Sequence, residues 1–165
     1  MRPRLHLAFI LALVLTFTPA YASLPTGLDE TVDDPGLFLE VLKQREPNSQ
    51  KLIYTLSWPA PVETILEWRK AGYEVRMLLP DATPPQILET LKAAGVAYRL
   101  FPAGVSPADQ RGVAAAAVRT VLFYEPPVTW RIVSNASYAG LLANLAFLWE
   151  QLGDGAIQTA PSGGR

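Results

Sequence analysis

Between residues 51 and 101 the chain alternates apolar strand-like runs with helical segments that each end at a glycine, and this alternation limits the fold more than any other feature. KLIYTLS (51–57) reads as a buried strand. Residues 59–71 follow as a helix with Val62, Ile65 and Leu66 on one face, closed by Gly72. Residues 73–79 make a second strand. A further helix carries Ile87, Leu88 and Leu91 inward, with Thr83-Pro84-Pro85-Gln86 as its capped start and Gly95 as its stop. Residues 96–101 make a third strand. Strands joined by helices through connections this short run parallel, so the expected fold is α/β, a mixed, mostly parallel sheet flanked by helices. Ligands of such sheets sit beyond the carboxyl ends of the strands, here near Ser57-Trp58, Pro80-Asp81 and Pro102. No glycine-rich phosphate loop occupies those ends, which argues against a Rossmann or P-loop nucleotide site.

Ahead of this unit, residues 34–46 form a short helix capped by Asp34, with Leu37, Phe38, Val41 and Leu42 on one face and Pro47 as its stop. Residues 23–33 carry Asp29, Glu30 and Asp33 and read as a flexible acidic lead-in; their spacing has no calcium-loop signature. Beyond the unit, residues 113–118 are an Ala and Val run suited to a tightly packed strand or a sheet crossing. Residues 119–124 and 129–133 are two runs of strand-forming residues around Glu125-Pro126-Pro127, a C-terminal hairpin. Ser137 is the N-cap candidate for a last helix, 138–152, with an apolar stripe of Leu141, Leu142, Leu145, Leu148, Trp149 and Leu152. Residues 153–165 lack apolar periodicity and read as a disordered tail.

The first segment has a different character. Arg2 and Arg4 precede an apolar run over 7–17, and Ala20-Tyr21-Ala22 has the small-x-small pattern of a signal-peptidase site. Residues 1–22 are therefore expected to be a signal peptide cleaved after Ala22, leaving a periplasmic or secreted domain over 34–152 with no stable membrane anchor. The apolar run is shorter than the roughly 20 residues that cross a bilayer.

Among 165 residues there is no cysteine and one histidine, His6, inside the segment expected to be removed. That excludes thiolate and imidazole catalysis in the mature chain and removes the usual ligands of zinc, copper and iron. No cofactor and no metal site are expected. A formal charge of −1 predicts no bulk attraction to a polyanion.

In order and spacing, KLIYTLSW, KAGYEVRMLLPD, ILETLKAAGVAYRLF and VLFYEPPVTWRIVSNAS resemble the phospholipase D-like superfamily, closest to its small exported single-domain nucleases. The phrase VSNAS is similar to that family's GSaNfT. The resemblance implies a phospholipase D-like fold and an active segment H-x-K-x4-D, in which His forms a covalent phosphohistidine while Lys, Ser and Asn stabilise phosphoryl oxygens. Placing Asn135 on the family's Asn puts Val118 at the His position, Thr120 at the Lys position and Glu125 at the Asp position. Only the acidic character survives. Ser134 sits one residue nearer Asn135 than the pattern has it, and the glycine is gone.

The resemblance thus implies a degenerate site with no catalytic residue, in a pseudoenzyme acting as a binding or dimerisation module. The alternative is a divergent phosphodiesterase using Arg119, Ser134 or Glu125. Arg119, Arg131, Ser134, Asn135 and Trp58 are the residual phosphate- or ligand-binding candidates, with Tyr54, Tyr124 and Trp130 as further stacking aromatics for weak nucleic-acid binding. Two domain copies build one site in the family, which implies a homodimer with residues 114–118 as contact area. Asn135 also heads an Asn-x-Ser sequon.

Overall fold

The computed structural model describes residues 28–56, 62–103, 112–125 and 129–152. The expected signal segment, Trp58 and the expected C-terminal tail lie outside the described residues. In chain order the elements are β1 (Leu28–Val32), α1 (Leu37–Arg45), β2 (Leu52–Leu56), α2 (Val62–Lys70), β3 (Glu74–Leu79), α3 (Pro85–Ala93), β4 (Ala97–Leu100), β5 (Val113–Ala117), β6 (Thr120–Glu125), β7 (Thr129–Ser134) and α4 (Ala139–Gln151), the last preceded by a 3₁₀ turn over Ala136–Tyr138.

Seven strands form one sheet in the order β1-β7-β6-β5-β2-β3-β4. The strand–helix alternation gives the parallel set β2, β3 and β4, as its short connections require. Every other pairing is antiparallel, so the sheet is mixed but mostly antiparallel, against the expectation of a mostly parallel one. The reason is connection length. A parallel neighbour needs a crossover of about a dozen residues, whereas residues 118–119 and 126–128 leave room only for reversals.

Side-chain alternation sends each strand's residues to two cores. On one face Ile53, Val75 and Met77 meet Phe38 and Leu42 of α1, Ile65 and Trp68 of α2, and Leu91 of α3. On the other, Tyr54, Leu78 and Val121 meet Leu145, Leu148 and Trp149 of α4 and Leu152 at its C-cap. Burying each such aliphatic side chain is worth about 1.5–3 kcal/mol, so the two cores hold the layers together. Glycine ends α2 and α3 as the sequence implies, with φ of +88° at Gly72 and +66° at Gly95. The start of α3 differs: Pro84 is its N-cap, Thr83 Oγ1 donates to Pro80 O at 2.7 Å, and Ile87 is 37% exposed.

The lead-in is corrected over residues 28–32, which form edge strand β1 paired with β7 from Leu28↔Ser134 to Val32↔Trp130. Leu28 and Val32 pack on the core, and an edge strand needs little more apolar surface than that. The Arg131 guanidinium grips the Asp29 carboxylate in a fork, Nε to Oδ1 and Nη2 to Oδ2 both at 2.5 Å. This hydrogen bonding holds the Asp29 carboxyl below its ordinary range.

Residues 114–117, expected as dimer contact area, are instead buried in the middle of the sheet between β2 and β6. Their ladder with β6 slips between Val113 and Ala115, a bulge prepared by Gly112 at φ +77°. A Cβ at Gly112 would lie 2.3 Å from the Tyr124 carbonyl oxygen.

Gly112→Ala is expected to lower the free energy of unfolding by more than about 2 kcal/mol, since it adds a backbone clash to an unfavourable φ. Gly140→Ala, in the first turn of α4 with no heavy atom within 4 Å of the new Cβ, should raise it by about 0.5 kcal/mol. Urea unfolding of both variants checks the pair. A depressed carboxylate pKa stabilises the fold fully above the ordinary Asp range and stops doing so as pH falls through the depressed value. The stability difference between the parent chain and Asp29→Asn should therefore be present at pH 7 and shrink as pH falls below the ordinary Asp range. With side chains 51% and 36% exposed, it should not exceed about 1 kcal/mol.

Candidate functional site

Helix α1 ends where its sequence turns unfavourable. Glu46 takes a non-helical φ of −134° while its N–H still donates to Leu42 O, and Pro47 prevents continuation. Ser49 then closes a turn on Glu46, its N–H and hydroxyl both donating to the Glu46 carbonyl at 3.1 and 2.8 Å. The turn leads directly into β2 and drives the Glu46 side chain beneath the β5–β6 reversal, where it is 6% exposed.

There the carboxylate is bound. Glu46 Oε1 accepts from Thr120 Oγ1 at 2.6 Å and from the Arg119 backbone N–H at 3.3 Å. Thr120 Oγ1 also lies 3.0 Å from Ser134 Oγ. A hydroxyl has one proton, so the consistent arrangement has Ser134 donating to Thr120 and Thr120 donating to Glu46. Glu46 Oε2 is closed off from solvent with no hydrogen-bond partner.

Residues 118 and 119 make the two-residue reversal between β5 and β6. Val118 has φ +41°, the one non-glycine positive φ among the described residues, and the pattern of a turn that ordinarily takes glycine at its first position. For a β-branched residue this is strained by about 1–3 kcal/mol. Neighbouring hydrogen bonds hold it there: Arg119 donates to Glu46 on one side, and its carbonyl accepts from the Asn135 N–H at 2.9 Å on the other. Asn135 Oδ1 in turn accepts from the Ser137 N–H at 3.0 Å and the Ser137 hydroxyl at 2.8 Å. Asn135, not Ser137, therefore caps the chain's entry to the 3₁₀ turn and α4, because its extended backbone aims the amide oxygen down the following turn.

These pieces surround a cleft of about 510 Å³ lined by Arg45, Glu46, Pro47, Asn48, Ser49, Val118, Arg119, Ala136 and Ala139. It opens at the amino end of β2, opposite to the carboxyl ends where the sequence placed a ligand. The displacement follows from the antiparallel half: the β5–β6 reversal and the end of β7 both fall beside the start of β2. Arg45 and Arg119 are exposed and form no ion pair with any described residue. Ala136 and Ala139 bring the amino end of α4, with its partial positive charge, to the same rim.

Of the residues expected at the site, Val118, Arg119, Thr120, Ser134 and Asn135 come together. Glu125 and Arg131 do not. Glu125 is an odd number of residues from Thr120, and Arg131 an odd number from Ser134, so both project from the other face of the sheet. There Arg131 is held by Asp29 and lies 3.7 Å from Glu125. Tyr54 and Trp130 are core residues rather than stacking platforms: Tyr54 is 1% exposed with its hydroxyl accepting from Arg76 at 2.9 Å, and Trp130 is 4% exposed with its ring centre 5.1 Å from that of Tyr124. Arg45, Glu46 and Asn48 were not expected here. Glu46-Pro47 reads in sequence only as the end of a helix, and nothing local marks its carboxylate as buried.

Chemically, the cleft offers hydrogen-bond donors, positive charge and a sealed carboxylate. It offers no nucleophile at the two positions compared with the phosphotransfer motif, since valine has no lone pair and Thr120 is wholly buried and engaged.

No protein-family model matches the chain, and no curated protein does. Among solved structures it is similar to TrmBL2, an archaeal chromatin protein with a novel mode of DNA binding, at 13% identity and a TM-score of 0.46. That likeness covers 90% of this chain, which spans 60% of the length of TrmBL2. It is also similar to Nuc from Salmonella typhimurium, a phospholipase D family member, at 16% identity and a TM-score of 0.48, over 78% of this chain and 96% of Nuc.

Proposed function

We propose that this chain is an exported, non-catalytic binding domain of phospholipase D-like descent, in which the catalytic segment has become part of the scaffold of a ligand cleft. The single observation that carries the reading is the state of the two positions where the resemblance requires His and Lys. Val118 forms a strained reversal at the cleft wall, and Thr120 is buried with its hydroxyl spent on Glu46. Without a nucleophile the family's covalent step has no starting point, and losing such a group removes many orders of magnitude of rate. What is left is suited to holding a ligand: a concave surface within the usual volume range of small-molecule sites, with two exposed guanidinium groups at its rim. Export rests on residues 1–22, and the chain's one histidine, His6, leaves with them.

The purified chain is expected to give no turnover above blank on bis-p-nitrophenyl phosphate, single-stranded DNA or phospholipid vesicles. Turnover abolished by Ser134→Ala or Glu125→Ala would overturn the reading in favour of a divergent phosphodiesterase.

A further inference from the structure

Helix α4 is apolar on every side: from Ala139 to Trp149 it carries no charged side chain. A helix of that character is ordinarily covered all round, yet within it only Leu145, Leu148 and Trp149 are buried. The opposite face, Ala139, Gly140, Ala143 and Phe147, is exposed. Phe147, at 48%, is the most exposed large apolar side chain among the described residues. These positions recur at three and four residues, so they form one continuous strip along the helix.

The two ends of the strip carry opposite charges. At the amino end, Ala136 and Ala139 stand in the wall of the cleft that Arg45 and Arg119 also line. At the carboxyl end, Glu150 lies three residues beyond Phe147 and is exposed on the same face. None of these three charged groups forms an ion pair with a described residue. Between the ends the surface has a knob and a notch: Phe147 projects, and a Cβ at Gly140 would meet no heavy atom within 4 Å.

Such a surface is complementary to itself when turned end for end. We propose that α4 is a homodimer contact, packing antiparallel on the same helix of a second copy about a two-fold axis beside Ala143 and Asn144. Setting Phe147 over the partner's Gly140 brings Glu150 opposite the partner's Ser137, so that its carboxylate faces the partner's Arg45 and the partner's Arg119. The two-fold axis makes each contact twice. An anionic membrane suits this face less well, since it would attract the arginines and repel Glu150. A single helix pair is a small interface, so the dimer is expected to be weak, with a dissociation constant in the micromolar range. Dimerisation through α4 needs no ligand in the cleft.

Sedimentation equilibrium of the purified chain from about 5 to 500 μM is expected to show the average mass rising from one chain toward two. Phe147→Ala and Gly140→Gln, both at exposed positions, should each weaken association at least about tenfold while the far-UV circular dichroism stays that of the parent. Glu150→Arg should weaken it at least about fivefold at low salt, and that difference should disappear near 1 M salt. A single-chain mass at every concentration overturns the proposal. So does a dimer that Phe147→Ala and Gly140→Gln leave intact, or one that Glu150→Arg does not weaken at low salt. A monomeric chain that sediments with anionic vesicles also overturns it, and gives the face to a membrane surface.

Discussion

A buried carboxylate bridging two parts of the chain far apart in sequence organises this end of the molecule. Glu46 leaves the end of α1, passes under the β5–β6 reversal and accepts from Thr120 and Arg119, more than seventy residues later. A charge this buried is tolerated only when it is hydrogen-bonded, and its removal from water is expensive enough that the surrounding geometry must conform to it. The positive φ at Val118 is part of that conformity. The reversal adopts a shape unfavourable for valine because it delivers the Arg119 N–H to Glu46 and the Arg119 carbonyl to Asn135.

The same interaction decides what the cleft can do. In the motif that the segment resembles, the position of Thr120 presents a charged amine to substrate. Here the side chain is satisfied inside the protein, and Ser134 joins it in the network. Thr120 and Ser134, neighbours across β6 and β7, therefore tie the sheet to α1 instead of facing a reacting group. The cleft is lined largely by residues that the motif does not contain, above all Arg45 and the loop that follows α1.

Local chemistry made part of this legible from sequence. Gly72 and Gly95 end helices where they should, Leu145, Leu148 and Trp149 face the core, and the strands of the βαβ units run parallel. The direction of the remaining strands was also written in the chain, in the brevity of 118–119 and 126–128, but the weight of the preceding βαβ pattern pointed the other way. The placement of Glu125 and Arg131 away from the site was readable from parity alone, once Thr120–Glu125 and Thr129–Ser134 are strands. Glu46 was not readable. Its burial depends on a contact between α1 and β6 that no periodicity encodes, and β1 was hidden for a similar reason, since its polar residues are acceptable only at the edge the fold assigns to it.

The measurement that bears most directly on this account is a double-mutant cycle on Glu46→Gln and Thr120→Val, read by urea unfolding at neutral pH. If the carboxylate and the hydroxyl hold the reversal together, each single change should destabilise the chain, and their coupling energy should be about 1–3 kcal/mol. A coupling indistinguishable from zero would mean that the two groups merely lie side by side and that Glu46 does not hold the β5–β6 reversal in place.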